Sequence, residues 1–267
     1  MTLLNHALRA GRANAVPDRP MARTALVAGG GGALGSAVLE ALLANRRFAP
    51  VRVLATRALG TAMQGLEPVV IDDLGALPSP HDAPLADTAL IVFDRERHAN
   101  GRERAFLRPA PDGLTALAGW LQRRGVRALV VVLPHAPASL PQALKAGLAN
   151  LDEHTVATMG FEQLVFVRSA QPPSGVRATQ WLQRLADGVL AQMRIMVASP
   201  GQPVRAAKVA QFVAELAAQL VHAAPGTRVA PPELVWQAAQ LREPVALVQA
   251  WLAARELPEV NAPPRRW

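Results

Sequence analysis

The chain has no cysteine and no tyrosine in 267 residues, and aromatics make up only 4% of it. Without cysteine there is no disulfide, no thiolate nucleophile and no Cys-ligated metal. Lysine is scarce too: Lys145 and Lys208 are the only two among 28 basic residues, so arginine carries the net charge of +8. The arginines are scattered through a background of Ala, Leu and Pro. They neither cluster nor interleave with aromatics, as a nucleic-acid footprint does, so nucleic acid is not expected as a main partner. Long apolar runs are also missing. The least charged stretch, Ala128 to Leu144, is interrupted by Pro134, Pro137 and Pro141, and falls short of a membrane span. The first twenty residues, MTLLNHALRAGRANAVPDRP, lack the apolar centre of a secretory signal. A cytoplasmic location is therefore expected. An internal start at Met21, or a loose tail over residues 1–21, fits this opening better than a short Arg-containing targeting segment.

What is present is core-forming sequence. At 51% hydrophobic, the chain can bury one sizeable domain, or one domain with a lobe attached. Apolar runs predict strands at Thr24–Ala28, Val51–Thr56, Pro68–Ile71, Thr88–Phe93, Val126–Leu133 and Leu164–Val167. Helical spacing follows the first of these through about Asn45, with Leu34, Val38, Ala41 and Leu42 in register. It recurs over Leu114–Arg124 and over Pro141–Met159, where Gly160 is the stop. Strands alternating with helices imply right-handed crossovers and a doubly wound parallel sheet of Rossmann type. Beyond Ser169 the stripes Trp181/Leu185/Val189 and Phe212/Leu216/Leu220, with a short strand near Arg228–Ala230, predict a small, mostly helical C-terminal lobe. The expected division is a nucleotide-binding domain over 22–170, the lobe over 171–258 and a frayed tail over 259–267.

The most informative stretch is VAGGGGALGSAV, Val27 to Val38. Glycine inside a regular element costs roughly 0.5–1 kcal/mol relative to alanine, so four in a row need a reason. Gly29, Gly32 and Gly35 are spaced G-x-x-G-x-x-G directly after a strand and at the mouth of a helix. In that context one glycine makes the tight turn, one lets a pyrophosphate approach the backbone, and one lets the helix pack on the strand. The diphosphate would sit at the helix N-terminus, where unpaired N–H groups and the dipole attract negative charge. Gly31, Ala33 and Leu34 complete the loop, and Ser36 could add a hydroxyl. The competing reading is a strand-to-helix turn with no ligand.

An NAD-binding site usually places an acid about 20 residues on, at the end of the second strand, to hold the ribose hydroxyls. Here that strand ends Ala55-Thr56-Arg57 with no carboxylate. Arg57 can pair with a 2′-phosphate, assisted by Thr56 and Arg52, so NADP(H) is the preferred cofactor and NAD(H) the second choice. The alternative for Arg57 is an ordinary exposed cation.

In these stretches the chain resembles the atypical and extended short-chain dehydrogenase/reductases. It is nearest in look to the NAD(P)-binding Tat-interacting-protein homologues and the regulators related to nitrogen metabolite repression. The resemblance rests on AGGGGALGSAV (28–38), VRVLATR (51–57), VVIDDL (69–74), RALVVVL (127–133) and GFEQLVFVRSAQPPSG (160–175). It implies an adenine contact at Asp73, and places Arg168-Ser169 where the family closes its sixth strand with Arg-Pro. It also implies a Ser or Thr after the fifth strand and a Tyr-x-x-x-Lys on the next helix, the tyrosine passing a proton to a substrate carbonyl. Lys145 falls on the lysine, where it would touch ribose hydroxyls or lie as a surface cation on an Ala-rich helix. Pro141 stands at the tyrosine and Leu133-Pro134 at the serine. The loop is kept and the proton donor is gone.

A substitute donor would have to come from elsewhere. His135 follows the fifth strand, with Ser139 four residues on, at the edge where such sheets bind substrate, and imidazole has a suitable pKa. His135 is the catalytic candidate, though no partner to orient it is evident in the sequence. His154 reads as a surface residue, and His6, His81, His98 and His222 show no ligand spacing, so no metal is expected. The segment Asp94–Arg108, DRERHANGRERAFLR, follows the fourth strand and should overhang the cofactor edge. It reads either as a solvated loop or as a lid for an anionic group. Two functions are consistent with all this. One is an NADP(H)-binding oxidoreductase acting on a carbonyl substrate with weak or atypical catalysis. The other is a non-catalytic, nucleotide-responsive sensor whose partner docks on the C-terminal lobe.

Overall fold

A computed structural model describes residues 23–59, 64–71, 83–94, 103–133, 152–168, 204–255 and 257. Its centre is a seven-stranded sheet: β1 (Arg23–Ala28), β2 (Phe48–Ala55), β3 (Leu66–Val70), β4 (Thr88–Val92), β5 (Ala128–Leu133), β6 (Gln163–Arg168) and β7 (Gly226–Ala230). The order across the sheet is β3-β2-β1-β4-β5-β6-β7, and every neighbouring pair is parallel. The first six strands follow the Rossmann order.

The central strands β1, β4, β5 and β6 form where the sequence is almost wholly apolar, because a parallel sheet is covered on both faces, while the edge strands β3 and β7 carry exposed polar residues. Period two then divides each strand between two cores. Ala25, Val27, Val53, Leu90, Val92, Val130, Val132, Val165 and Val167 face one layer. Leu26, Ala28, Leu54, Ile91, Leu129, Val131, Leu164 and Phe166 face the other. The first layer is covered by α1 (Gly32–Asn45) and α3 (Ala206–Gln219), which lie against each other. The second is covered by α2 (Leu114–Arg123) and a short helical stretch at 152–157 that contributes Val156. Helices on both faces make the sheet doubly wound, as expected.

Most boundaries fall within a residue or two of expectation, with one exception at β2. That strand begins at Phe48 rather than Val51, because Phe48 already pairs with Arg23 of β1. Its ring is buried under the Arg23 guanidinium, 5.3 Å away, and Pro50 hides this start from any periodic pattern. Arg23 also donates to the Ala218 carbonyl at 2.6 Å. Burial pushes its pKa below the ordinary value, and the Asp87 carboxylate opposes that shift.

The strand expected near Arg228–Ala230 is the seventh strand of the main sheet, paired with β6, and not an element of a lobe. The Phe212/Leu216/Leu220 stripe is fully buried, in the layer that also holds α1. Two further helices, α4 (Pro232–Gln240) and α5 (Val245–Leu252), pack on α3, and α4 also meets β6. A polar chain ties α3 and α5 to α1 at the N-terminal end of the sheet. Arg47, just past α1, donates to Glu215 at 2.9 Å, Gln219 donates to the same carboxylate oxygen at 2.7 Å, and Gln249 of α5 donates to Gln219 at 3.4 Å. Among the described residues no helix is long and apolar enough to cross a membrane. The expected helix over 141–151, the Trp181/Leu185/Val189 stripe and both chain ends lie outside the described residues.

Candidate functional site

Rossmann sheets bind ligands beyond the carboxyl ends of the strands, where the chain order reverses. Here that point lies between β1 and β4, and the glycine turn runs out of β1 into α1 beside it. Gly29 and Gly32 both have left-handed φ, +90° and +78°, which side-chain-bearing residues adopt only at a cost. A Cβ on Gly29 would lie 2.1 Å from the Val92 carbonyl oxygen, so this glycine lets the turn pass tight against β4. A Cβ on Gly35 would lie 2.0 Å from the Gly29 carbonyl oxygen. That glycine brings the first turn of α1 onto its own strand.

Gly32 is bare for a different reason. A Cβ there would meet the Asp94 carboxylate, 2.6 Å from Oδ2. The same oxygen accepts the Leu34 backbone N–H at 2.6 Å. Helix α1 has no acidic residue in its first turn, and Gly31, at the N-cap, makes no side-chain cap bond. Asp94, two residues beyond β4, therefore supplies the negative charge that a helix N-terminus attracts.

The segment after the charged run closes the same region from the other side. Ala105 and Leu107 form backbone bonds with the ends of β1 and β2. Thr56 N–H donates to Ala105 O at 2.8 Å, Leu107 N–H to Leu54 O at 2.8 Å, and Gly29 N–H to Leu107 O at 3.1 Å. Phe106 forms an isolated antiparallel bridge with Ala55. This strap crosses the gap where β1 and β2 diverge. Between it and the glycine turn lies a cleft of about 240 Å3, lined in part by Gly29, Gly32, Asp94, Arg104, Phe106 and Arg108. Small-molecule pockets usually run to roughly 300–1,000 Å3. The described part of this cleft falls just short of that range, with Asp94 and the strap taking up the space beside the glycine turn.

The other anticipated residues fall as follows. Gly31 at the N-cap and Ala33 and Leu34 in the first turn of α1 are half-buried, and Ser36 donates to the Gly30 carbonyl at 3.5 Å. Thr56 and Arg57 are exposed just past β2; the Thr56 hydroxyl donates to Ala105 O at 3.3 Å. Arg168 ends β6 and donates to both Glu153 oxygens, at 3.0 and 3.3 Å. His154 is exposed beside Glu153. Asp73, His135, Ser139 and Lys145 lie outside the described residues. Among those described, no three His, Asp or Glu side chains gather as a metal site would require.

Sequence reasoning recognised the position of Asp94 but not its role. The available signal was an acid directly after β4, level with a glycine turn that carries no acid of its own. The strap left a weaker trace, the apolar Ala-Phe-Leu at the end of a charged run.

No family model matches the chain. No curated protein matches it. Solved structures to which it is similar include proteins named as epimerases and a short-chain dehydrogenase/reductase, all at low identity. A Bacillus halodurans protein with a provisional NAD-dependent epimerase/dehydratase name is 15% identical, with TM-score 0.44 over 82% of this chain and 100% of its own. The UDP-N-acetylglucosamine 4-epimerase of Bacillus cereus is 14% identical, with TM-score 0.39 over 88% of this chain and 83% of its own. A wide-type short-chain dehydrogenase/reductase from Veillonella parvula, in complex with NADP, is 12% identical, with TM-score 0.33 over 58% of this chain and 73% of its own.

Proposed function

We propose that this chain is an NADP(H)-binding, nucleotide-responsive protein that works without the phenol-based proton relay of short-chain dehydrogenases. One observation carries the reading: a glycine turn with Gly29 and Gly32 in left-handed φ sits at the switch point of a Rossmann sheet, in a chain with no tyrosine. The turn is the part of the fold that receives a diphosphate. The missing phenol removes a general acid, a contribution typically of about 10²–10⁴-fold in rate. Arg57, exposed beyond β2, is the residue assigned to a 2′-phosphate, and a bidentate guanidinium suits that group.

The reading of the protein as a carbonyl oxidoreductase needs a proton source in place of the lost donor: His135, a water or the substrate itself. Asp94 and the strap beside the glycine turn favour the sensor instead, because a ligand that displaces them changes the protein's shape as it binds. The test is a fluorescence titration of the full chain with NADPH and NADH, followed by a screen of aldehydes, ketones and quinones for oxidation of the bound cofactor. Saturable NADPH binding without turnover is expected. No binding of either nucleotide at about 1 mM, a free energy near −4 kcal/mol, refutes the proposal. Turnover abolished by His135→Ala replaces it with the enzyme reading.

A further inference from the structure

The glycine turn faces an anion, but the anion belongs to the protein. We infer that the Asp94 carboxylate is an internal competitor of the dinucleotide diphosphate, and that ligand enters by displacing it together with the 105–107 strap. This rests on the proposed nucleotide binding and concerns how that same site is controlled.

Three observations converge. Asp94 Oδ2 takes the Leu34 N–H at 2.6 Å, a first-turn donor of the kind that binds phosphate. Gly32 leaves open the space that this carboxylate fills. The strap occupies Thr56 N–H and Gly29 N–H with its own carbonyls, at the strand ends over which a nucleotide must lie. Arg104 and Arg108 line the same cleft, and Asp94 is the acid among its described lining residues. Without Asp94, that lining holds two arginines and no carboxylate beside the helix N-terminus, a composition that complements a diphosphate. A carboxylate and a diphosphate cannot share one helix N-terminus, because both need the same N–H groups and repel each other.

Asp94→Asn separates charge from capping. Asparagine keeps an oxygen for the Leu34 N–H and is as good a cap as aspartate, but it does not repel phosphate. NADPH titrated into wild-type and Asp94→Asn full-length chains should bind the variant about tenfold tighter or more, about 1.4 kcal/mol for each factor of ten. In wild type, saturating NADPH should speed amide exchange at Thr56 and Leu107, whose partners Ala105 O and Leu54 O are lost when the strap lifts. Equal or weaker binding by the variant, with measurable binding in wild type, overturns the internal-competitor role and leaves the nucleotide-binding reading intact. Unchanged or increased protection at Thr56 and Leu107 in NADPH-saturated wild type overturns displacement of the strap, whether or not the variant folds. Absence of NADPH binding in both chains at about 1 mM overturns the nucleotide-binding reading itself, and this inference with it.

Discussion

Replacing Gly35 by alanine should damage the protein, whereas the same change at Gly119 should improve it. Both glycines lie inside helices, where alanine gains up to about 1 kcal/mol from propensity. At Gly119 the new Cβ meets only the end of the Arg123 side chain at 3.4 Å and the Met159 methyl at 3.9 Å, both ordinary contacts. Nothing opposes the propensity gain, so Gly119→Ala should stabilise by about 0.5–1 kcal/mol. At Gly35 the Cβ would stand 2.0 Å from the Gly29 carbonyl oxygen and 2.9 Å from the Gly30 carbonyl carbon. Both are backbone atoms, so the helix itself has to lift.

Lifting α1 loosens Val38, Leu39 and Leu42, which are 0%, 6% and 0% exposed. Each such side chain is worth about 1.5–3 kcal/mol when buried. Clearing a 2.0 Å approach to a carbonyl oxygen takes a shift of about 1 Å, which forfeits roughly half of the contact attraction. Three side chains then lose about 2–4 kcal/mol, of which propensity returns about 1, leaving a net loss of about 1–3 kcal/mol. Urea unfolding of the two variants beside wild type reads this directly. With a slope of about 3 kcal/mol/M, the midpoint should fall by roughly 0.3–1 M for Gly35→Ala and rise slightly for Gly119→Ala. A Gly35→Ala protein as stable as wild type would refute the close-approach argument, and so would equal damage at both sites.

Two more outcomes can be checked. Arg57→Ala should weaken NADPH by about tenfold and leave NADH unchanged; parallel titrations giving an unaltered NADPH/NADH ratio would remove the 2′-phosphate assignment. Arg168→Ala strips Glu153, whose side chain is only 11% exposed, of two charged hydrogen bonds. It should cost about 1.5–3 kcal/mol by the same urea assay, towards the lower end because Arg168 is itself 41% exposed; Glu153→Gln should cost less.

The central strands were legible because they read as runs of buried apolar residues, ALVVVL in β5 and QLVFVR in β6. The turn into α1 was legible because few structures demand four glycines between a strand and a helix. The strap was not, and the reason is physical. Ala105–Leu107 is held by main-chain bonds to β1 and β2, and main-chain bonds leave no mark on side-chain patterning. Charged neighbours such as Arg104 and Arg108 then make the stretch read as solvated. Asp94 was hidden by distance, since its partner Leu34 lies 60 residues earlier. Helix α3 shows the intermediate case. Its Phe212/Leu216/Leu220 stripe announced an apolar face, but nothing local said that the face would cover the main sheet beside α1.

The Arg47–Glu215–Gln219–Gln249 chain has a mechanical consequence at the opposite end of α1. It moors the tail of that rod to α3 and α5, while Val38 and Leu42 bolt its flank to the sheet. A load applied at the head of the rod therefore has little freedom to push it backwards. Whatever gives way near Gly32 must be the parts beside the rod's head, Asp94 and the 105–107 strap.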